Sequence, residues 1–234
     1  LENCAGIDKI IETTSGNESS EQFDVHVPLL SLPGIFGTKL DSIPSDIPYI
    51  SIDPMLEEHW RTRLDYNNNL KIGIVWAGNR HHKNDRNRSC TLADFDNLFS
   101  SPGISLYSLQ KGPASIENNN SAEGTNIINL EDELDDFADT AAVIANLDIV
   151  ISVDTAVVHL SGAIGKPVWT LLPFDPDWRW LLNREDSPWY PGMRLFRQTQ
   201  PNDWTTVFEQ VKGNLIDLYS ITKRQCRMPE MVTV

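Results

Sequence analysis

The sequence predicts an α/β domain built on a parallel sheet with flanking helices. Two observations carry this. Between residues 70 and 172, short apolar runs alternate with helical stretches of about ten residues, the pattern of βα units. The chain of 234 residues is also long enough to bury a core without disulfide staples.

The elements follow in order. Residues 1–65 are irregular, cut into short extended pieces by Pro28, Pro33, Pro44, Pro48 and Pro54. Met55–Leu64 then reads as a short helix, with Asp53 as N-cap and Pro54 at the first position. Leu70–Ala77 is an apolar strand ending at Gly78, and Thr91–Phe99 suits a helix. Ile104–Leu109 and Asn126–Leu130 are strands. Phe137–Asn146 is a helix with an apolar face at positions 137, 141, 144 and 145, and Asp148–Val153 is a buried strand. Thr155–Ile164 is a helix closed by Gly165, followed by the strand Pro167–Leu172. After an aromatic, proline-rich stretch, Met193–Arg197 is a strand. Asp203–Leu218 is an amphipathic helix with Val207, Phe208, Val211, Leu215 and Leu218 on one side. The expected units are 1–65, 66–202, 203–220 and a disordered or loosely docked tail over 221–234.

Composition removes several classes of function. A net charge of −14 argues against a general nucleic-acid binder and against docking on an anionic membrane. No apolar run approaches the ~20 residues that span a bilayer, and residues 1–20 hold no continuous apolar stretch, so neither a transmembrane segment nor a signal peptide is expected. Cys4, Cys90 and Cys226 form no paired spacing, which fits a reducing compartment, and the cytoplasm is the expected location. The first residue is Leu, so the chain is expected to be a processed or partial product. His59, His81 and His82 make no metal spacing with nearby acids, so no metal site is expected.

The chemistry is expected at the carboxyl ends of the strands, where α/β sheets bind ligands. The loop 78–89 holds Arg80, Lys83, Arg86 and Arg88 with one acid, Asp85. It reads as a phosphate site, with Gly78 admitting close backbone approach, or as a solvated basic loop. Ser152–Ala163 runs from a buried strand directly into a helix. Its first amides lack internal partners, the dipole is positive there, and Thr155 adds a hydroxyl. His159, four residues on, shares that helix face, unless it is a core histidine beside Val158 and Leu160. Asp154 doubles as a candidate N-cap. A Ser152–Asp154–His159 hydrolase lacks the G-x-S-x-G elbow. Gln110 or Lys111 stands to meet a ribose or base. The acidic run from Glu131 to Asp136 reads as helix N-terminal charge, with Leu134 and Phe137 able to pack on a base. The aromatics between Trp178 and Tyr190 read as packing or as a sugar platform, with Arg179 and Arg184 available to a charged substrate group.

Ser152-Val-Asp-Thr-Ala-Val-Val-His-Leu-Ser-Gly-Ala-Ile-Gly-Lys-Pro-Val168 resembles the nucleotide-sugar motif of heptosyltransferase-like glycosyltransferases. Val75–Asn79, Lys83–Ser89, Ser108–Gly112 and Trp178–Leu182 look like the bacterial subgroup attached to tetratricopeptide repeats, which is similar to O-linked N-acetylglucosamine transferases. The resemblance implies a GT-B architecture of two Rossmann-like domains. This chain would be the C-terminal, donor-binding one, preceded by an irregular remnant of the first. It further implies that Lys83 is the diphosphate cation and that Gly78, Asp154, Thr155, Ala156 and His159 complete the phosphate end. Gln110, Leu134 and Phe137 would lie near ribose and base. Transfer would be inverting and metal-independent. The donor would be a nucleoside-diphosphate sugar, with no cofactor, and the acceptor a sugar, a lipid-linked saccharide or a protein.

Most of the first domain, where such enzymes place the acceptor base, is expected to be absent. His26 is then the one candidate base within the chain. Two classes stay open: a transferase or its donor-binding fragment, and a nucleotide-binding module without catalysis. With the first domain missing, residues 1–65 and the C-terminal helix are expected to pack on each other, leaving apolar surface that drives self-association.

Overall fold

A computed structural model describes residues 4, 6–11, 22–64, 67–95, 98, 103–115 and 127–225. Its centre is a six-stranded, all-parallel sheet: β1 Leu70–Val75, β2 Ile104–Ser108, β3 Ile127–Asn129, β4 Ile149–Val153, β5 Val168–Leu172 and β6 Met193–Arg197. The spatial order is β3-β2-β1-β4-β5-β6, the doubly wound arrangement of Rossmann folds, and it reverses between β1 and β4. The central strands are buried along almost their whole length, which is why they read as unbroken apolar runs.

The helices are α1 Leu32–Ile35, α2 Pro54–Leu64, α3 Asp85–Arg88, α4 Phe137–Ala145, α5 Ala156–Ala163 and α6 Trp204–Gln225. On one face of the sheet, Trp60 and Leu64 of α2, Val143 and Ile144 of α4 and Val158 of α5 pack with Tyr107, Val150 and Leu195. Gly73 keeps this face open, because a Cβ there would stand 2.6 Å from Leu147 Cδ1 and 2.9 Å from Leu109 Cδ1. On the other face, Val207, Phe208, Val211 and Leu215 of α6 join Phe95 against Ile72, Ile74, Ile151 and Phe196.

Helix α2 forms where its caps predict. The Met55 amide donates to Asp53 Oδ1 at 2.8 Å, satisfying one of the orphan donors of the first turn. Its Trp60 is 2% exposed and donates from Nε1 to Asp139 Oδ1 of α4 at 3.1 Å. Full burial of Trp60 and Leu64 contributes about 1.5–3 kcal/mol for each side chain. Lys166 closes the end of α4 by donating to Ala145 O and Leu147 O. Burial pulls its ammonium below the usual lysine range.

Several expectations change. The helix expected over Thr91–Phe99 appears as a 3-10 turn over Leu92–Phe95; residues 96, 97 and 99 lie outside the described residues. Asn126, the expected first residue of β3, also lies outside them. The N-terminal region is not wholly extended: it holds 3-10 turns at Leu29–Ser31 and Leu40–Ser42 and the one-turn α1. The C-terminal helix runs through Gln225, beyond the expected end at Leu218, since residues 219–225 hold no proline to stop it. Residues 226–234 of the tail lie outside the described residues.

The expected packing of the C-terminal helix on residues 1–65 is also corrected. The apolar stripe of α6 belongs to the cluster on its own sheet face, which among the described residues contains none of that segment, whereas α2 lies on the opposite face. The sheet itself offered the nearest apolar surface of matching size. Uncovered apolar side chains do occur on the segment, where Val25, Leu29, Leu30 and Phe36 are 77–93% exposed.

Candidate functional site

The sheet register brings three loops together. Val75 lies beside Ser152, and Ile74 lies beside Ser108. The segments 76–78, 109–111 and 153–155 therefore leave the sheet side by side at the switch point. They open a cleft of about 1250 Å³, also walled by Leu134–Phe137 and by the 173–179 loop. That exceeds the ~300–1,000 Å³ of a drug-sized pocket.

Of the residues singled out in the sequence, Gly78, Gln110, Leu134, Phe137, Asp154, Thr155, Ala156 and His159 all line the cleft. Lys83 and His26 are exposed and not among the lining residues. Lys83 lies in the turn that leads into α3, where a side chain has solvent on most sides. Arg179 lines the cleft, while Arg184 does not and instead pairs with Asp186 at 2.7 Å.

The basic loop is held by a chain of polar contacts. The Gly78 amide donates to Ser89 Oγ at 3.0 Å, and that hydroxyl donates to Asp85 Oδ1 at 3.1 Å. Asp85 also pairs with Arg88 Nε at 3.3 Å. Arg88 Nη1 reaches across to donate to Asp154 O at 3.0 Å, tying the β1 loop to the end of β4. Gly78 serves this crossing: a Cβ there would collide with the Arg88 guanidinium and with Asp85 Oδ1. Arg88 lies inside the basic motif 78–89. Its usable signal is the i,i+3 Asp85–Arg88 spacing, which places acid and guanidinium on one helical turn.

Gln110 braces the same loop. Only 3% exposed, its Oε1 accepts from the Trp76 and Ala77 amides at 3.2 and 2.9 Å. Its Nε2 donates to Ala77 O and Lys111 O at 3.1 and 3.0 Å. An amide so fully engaged fixes the shape of the wall beside a ligand. Lys111 Nζ donates to Glu131 O and Leu134 O, holding the acidic turn against the cleft. Leu134 is buried and Phe137 is 61% exposed, so the wall has a fixed apolar floor and an aromatic edge. Asp136 caps α4, accepting from Ala138 N and Asp139 N at 2.7 and 3.1 Å.

Helix α5 starts directly off β4. Its N-cap is Thr155 rather than Asp154, in extended conformation and without a side-chain cap bond, since its Oγ1 lies 3.2 Å from Ser152 Oγ. Ala156 and Val157 of the first turn line the cleft, so the positive end of the helix faces it. His159 sits one turn in. Its ring stacks on buried Trp180 at 5.2 Å between centroids and 19° between planes, and its Nδ1 lies 3.2 Å from Tyr190 Oη. His159 is thus both a packed residue and a cleft residue, which resolves the two alternatives as one. Burial lowers its pKa from 6.5; Asp154 and Asp177 oppose the shift and Arg179 adds to it, so the ring is neutral near pH 7. Ser152 is fully buried.

Among the described residues, no three His, Cys, Asp or Glu side chains cluster to hold a metal ion. No described helix is long and apolar enough to cross a membrane.

Comparison with known proteins bears on this cleft. The chain is 26% identical over 185 residues to Protein FlbA of Caulobacter vibrioides, a match covering 76% of this chain and 30% of that protein. The fold is similar to that of E. coli ADP-heptose LPS heptosyltransferase II, with a TM-score of 0.51 and 14% identity over 78% of this chain and 57% of that one. E. coli heptosyltransferase WaaC with ADP matches with a TM-score of 0.50 and 19% identity over 75% of this chain and 52% of that one. The chain therefore spans about half the length of these solved transferases and under a third of FlbA. Residues 114–176, from the wall beneath Leu134 and Phe137 through the start of α5 to the 173–176 loop, match the sequence model of Glycosyltransferase family 9 (heptosyltransferase).

Proposed function

We propose that this chain is the donor-binding half of a glycosyltransferase, and that its cleft takes the diphosphate and base of a nucleoside-diphosphate sugar. One observation carries the reading: a large switch-point cleft joins a helix start without a side-chain cap, a basic loop and an apolar wall, and the heptosyltransferase family match covers the helix start and the wall. The α5 amides, Thr155 and the loop cations suit a diphosphate. Leu134 and Phe137 suit the flat face of a base, and Gln110 shapes the ribose end. Lys83, exposed in the turn before α3, is kept as a diphosphate cation within this proposal.

Transfer would be inverting and independent of a metal or other cofactor. Loop cations and helix amides would stabilise the leaving diphosphate while a base deprotonates the acceptor. The acceptor would be a sugar, a lipid-linked saccharide or a protein, and the setting the cytoplasm. Kinship with the tetratricopeptide-repeat-associated subgroup and with O-linked N-acetylglucosamine transferases is part of the same proposal. A second reading, a nucleotide-binding module without catalysis, is favoured by the position of His26, which is exposed and outside the cleft lining.

Calorimetry with ADP, UDP, GDP and CDP against their monophosphates tests the site. One diphosphate should bind best and stabilise by about 2.7 kcal/mol at 100 times its dissociation constant. Equal affinity for mono- and diphosphates of all four bases refutes the assignment. Single-turnover transfer from a labelled donor separates transferase from module.

A further inference from the structure

We propose that Arg197 is a positioning residue for the cleft: its guanidinium clasps the main-chain carbonyls on either side of a left-handed turn, and so holds Trp180 against His159 and the Asp177–Arg179 turn along the cleft wall. The effect on a ligand rests on the diphosphate reading above; the clasp itself does not.

Arg197 is the last residue of β6 and lies beside Leu172, the last residue of β5 before the loop that walls the cleft. Its half-buried side chain is spent on the main chain: Nε donates to Arg184 O at 3.2 Å and Nη2 donates to Trp180 O at 2.5 Å. A planar guanidinium presents its donors at fixed angles, so two bonds from one fork set the positions of both carbonyls. Between those carbonyls the backbone is unusual. Leu181 has φ 54° and ψ −174°, and Asn183 has φ 58°. Asparagine tolerates the left-handed region, but a leucine there is an outlier that persists only where its surroundings impose it. Past this turn the chain runs back along β6, with Glu185 O accepting from Leu195 N at 2.7 Å and Asp186 bridged to Arg194. The reversal therefore occurs within the three residues that Arg197 spans.

The turn carries two parts of the site. Trp178–Trp180 is a 3-10 turn in which each carbonyl has a donor: Leu181 N, Trp189 Nε1 and Arg197 Nη2 in order. Asp177 caps it, accepting from the Arg179 amide and from Arg179 Nη1 at 3.0 and 2.7 Å, and both residues line the cleft. Trp180 is 1% exposed and stacks on His159. Arg197 thus acts on the histidine through one indole and on the wall through the same turn. The sheet edge has ties of its own, the Leu195–Glu185 bond and the Arg184–Asp186 pair. Loss of the clasp therefore frees the turn rather than the strand.

Proton spectra of the histidine rings in wild type, Arg197→Met and Arg197→Lys, without ligand, test the clasp, with His159→Gln assigning the resonances. The stacked indole should shift the His159 ring protons upfield in wild type. Arg197→Met keeps the length of the side chain without the fork and should move them toward the values of exposed histidines. Arg197→Lys, able to make one bond, should lie between. Melting curves establish which variants are folded. ADP titration should show about fivefold weaker binding for Arg197→Met, the loss of one hydrogen bond's worth of positioning, and a smaller loss for Arg197→Lys. A folded Arg197→Met whose His159 resonances match wild type overturns the clasp. So does a wild-type Arg197 Nε–H that exchanges as fast as that of an exposed arginine, a measurement that needs no variant to fold. Wild-type ADP affinity in a variant with moved His159 resonances overturns the link from the clasp to the ligand. Failure of wild type to bind ADP overturns the nucleotide reading instead, while the ligand-free spectra still decide the clasp.

Discussion

Arg88→Ala removes a side chain that bridges the β1 and β4 loops across the mouth of the cleft. Arg88 donates to Asp154 O at 3.0 Å and pairs with Asp85 at 3.3 Å, and the two paired side chains are only 14% and 13% exposed. A hydrogen bond from a charged donor contributes about 1.5–3 kcal/mol. The largely buried ion pair adds to this, but Asp85 keeps the Ser89 hydroxyl as a partner, which limits the penalty of stranding it. A net loss of about 2 kcal/mol follows, and for a domain of this size that lowers the melting temperature by about 4–8 °C. The same guanidinium lines the cleft, so ADP affinity should fall by about tenfold with the loss of one charge-assisted contact. Scanning calorimetry and ADP titration read the two effects separately. Arg88→Lys keeps the charge but not the fork, and should recover part of the affinity and little of the stability. A variant melting within about 1 °C of wild type and binding ADP equally well would refute the bridging role.

Lys83→Ala should leave the melting temperature unchanged, because the side chain is exposed; an ADP affinity loss smaller than that of Arg88→Ala would assign the dominant cation to Arg88, and a larger one would restore Lys83 to that place. Trp60→Ala should cost about 3–5 kcal/mol by emptying the space between α2 and α4, and a loss below about 1 kcal/mol in denaturant titration would show that α2 is dispensable. The lowered pKa of His159 means the unfolded chain binds its proton more readily, so this residue's contribution to stability is present above pH 6.5 and is lost as pH falls through and below that value. Melting curves between about pH 7.5 and 5 should show that loss, and His159→Gln should flatten it; an unchanged slope in the variant would refute a depressed pKa.

The layered α/β fold was legible in the order of apolar runs and helical stretches along the chain. Apolar runs located all six strands, and the β4–α5 junction was legible as a buried strand running into a helix, because strand burial and helix starts are properties of adjacent residues. Asp53, two residues before Met55, announced the start of α2 for the same reason. The side-chain partnerships around the cleft depend instead on residues distant in sequence. Nothing local says that α6 covers the sheet rather than the N-terminal segment. Nor does it say that Gln110 spends its amide on residues 76 and 77, or that Arg88 rather than Lys83 reaches Asp154 across 66 positions. His159 shows the limit most clearly: whether it was core or site was undecidable from Val158 and Leu160. Trp180 and Tyr190, brought from 21 and 31 residues away, pack against it while it lines the cleft. Side-chain partnership is set by the sheet register and the crossovers, and those are fixed only when the whole core is packed.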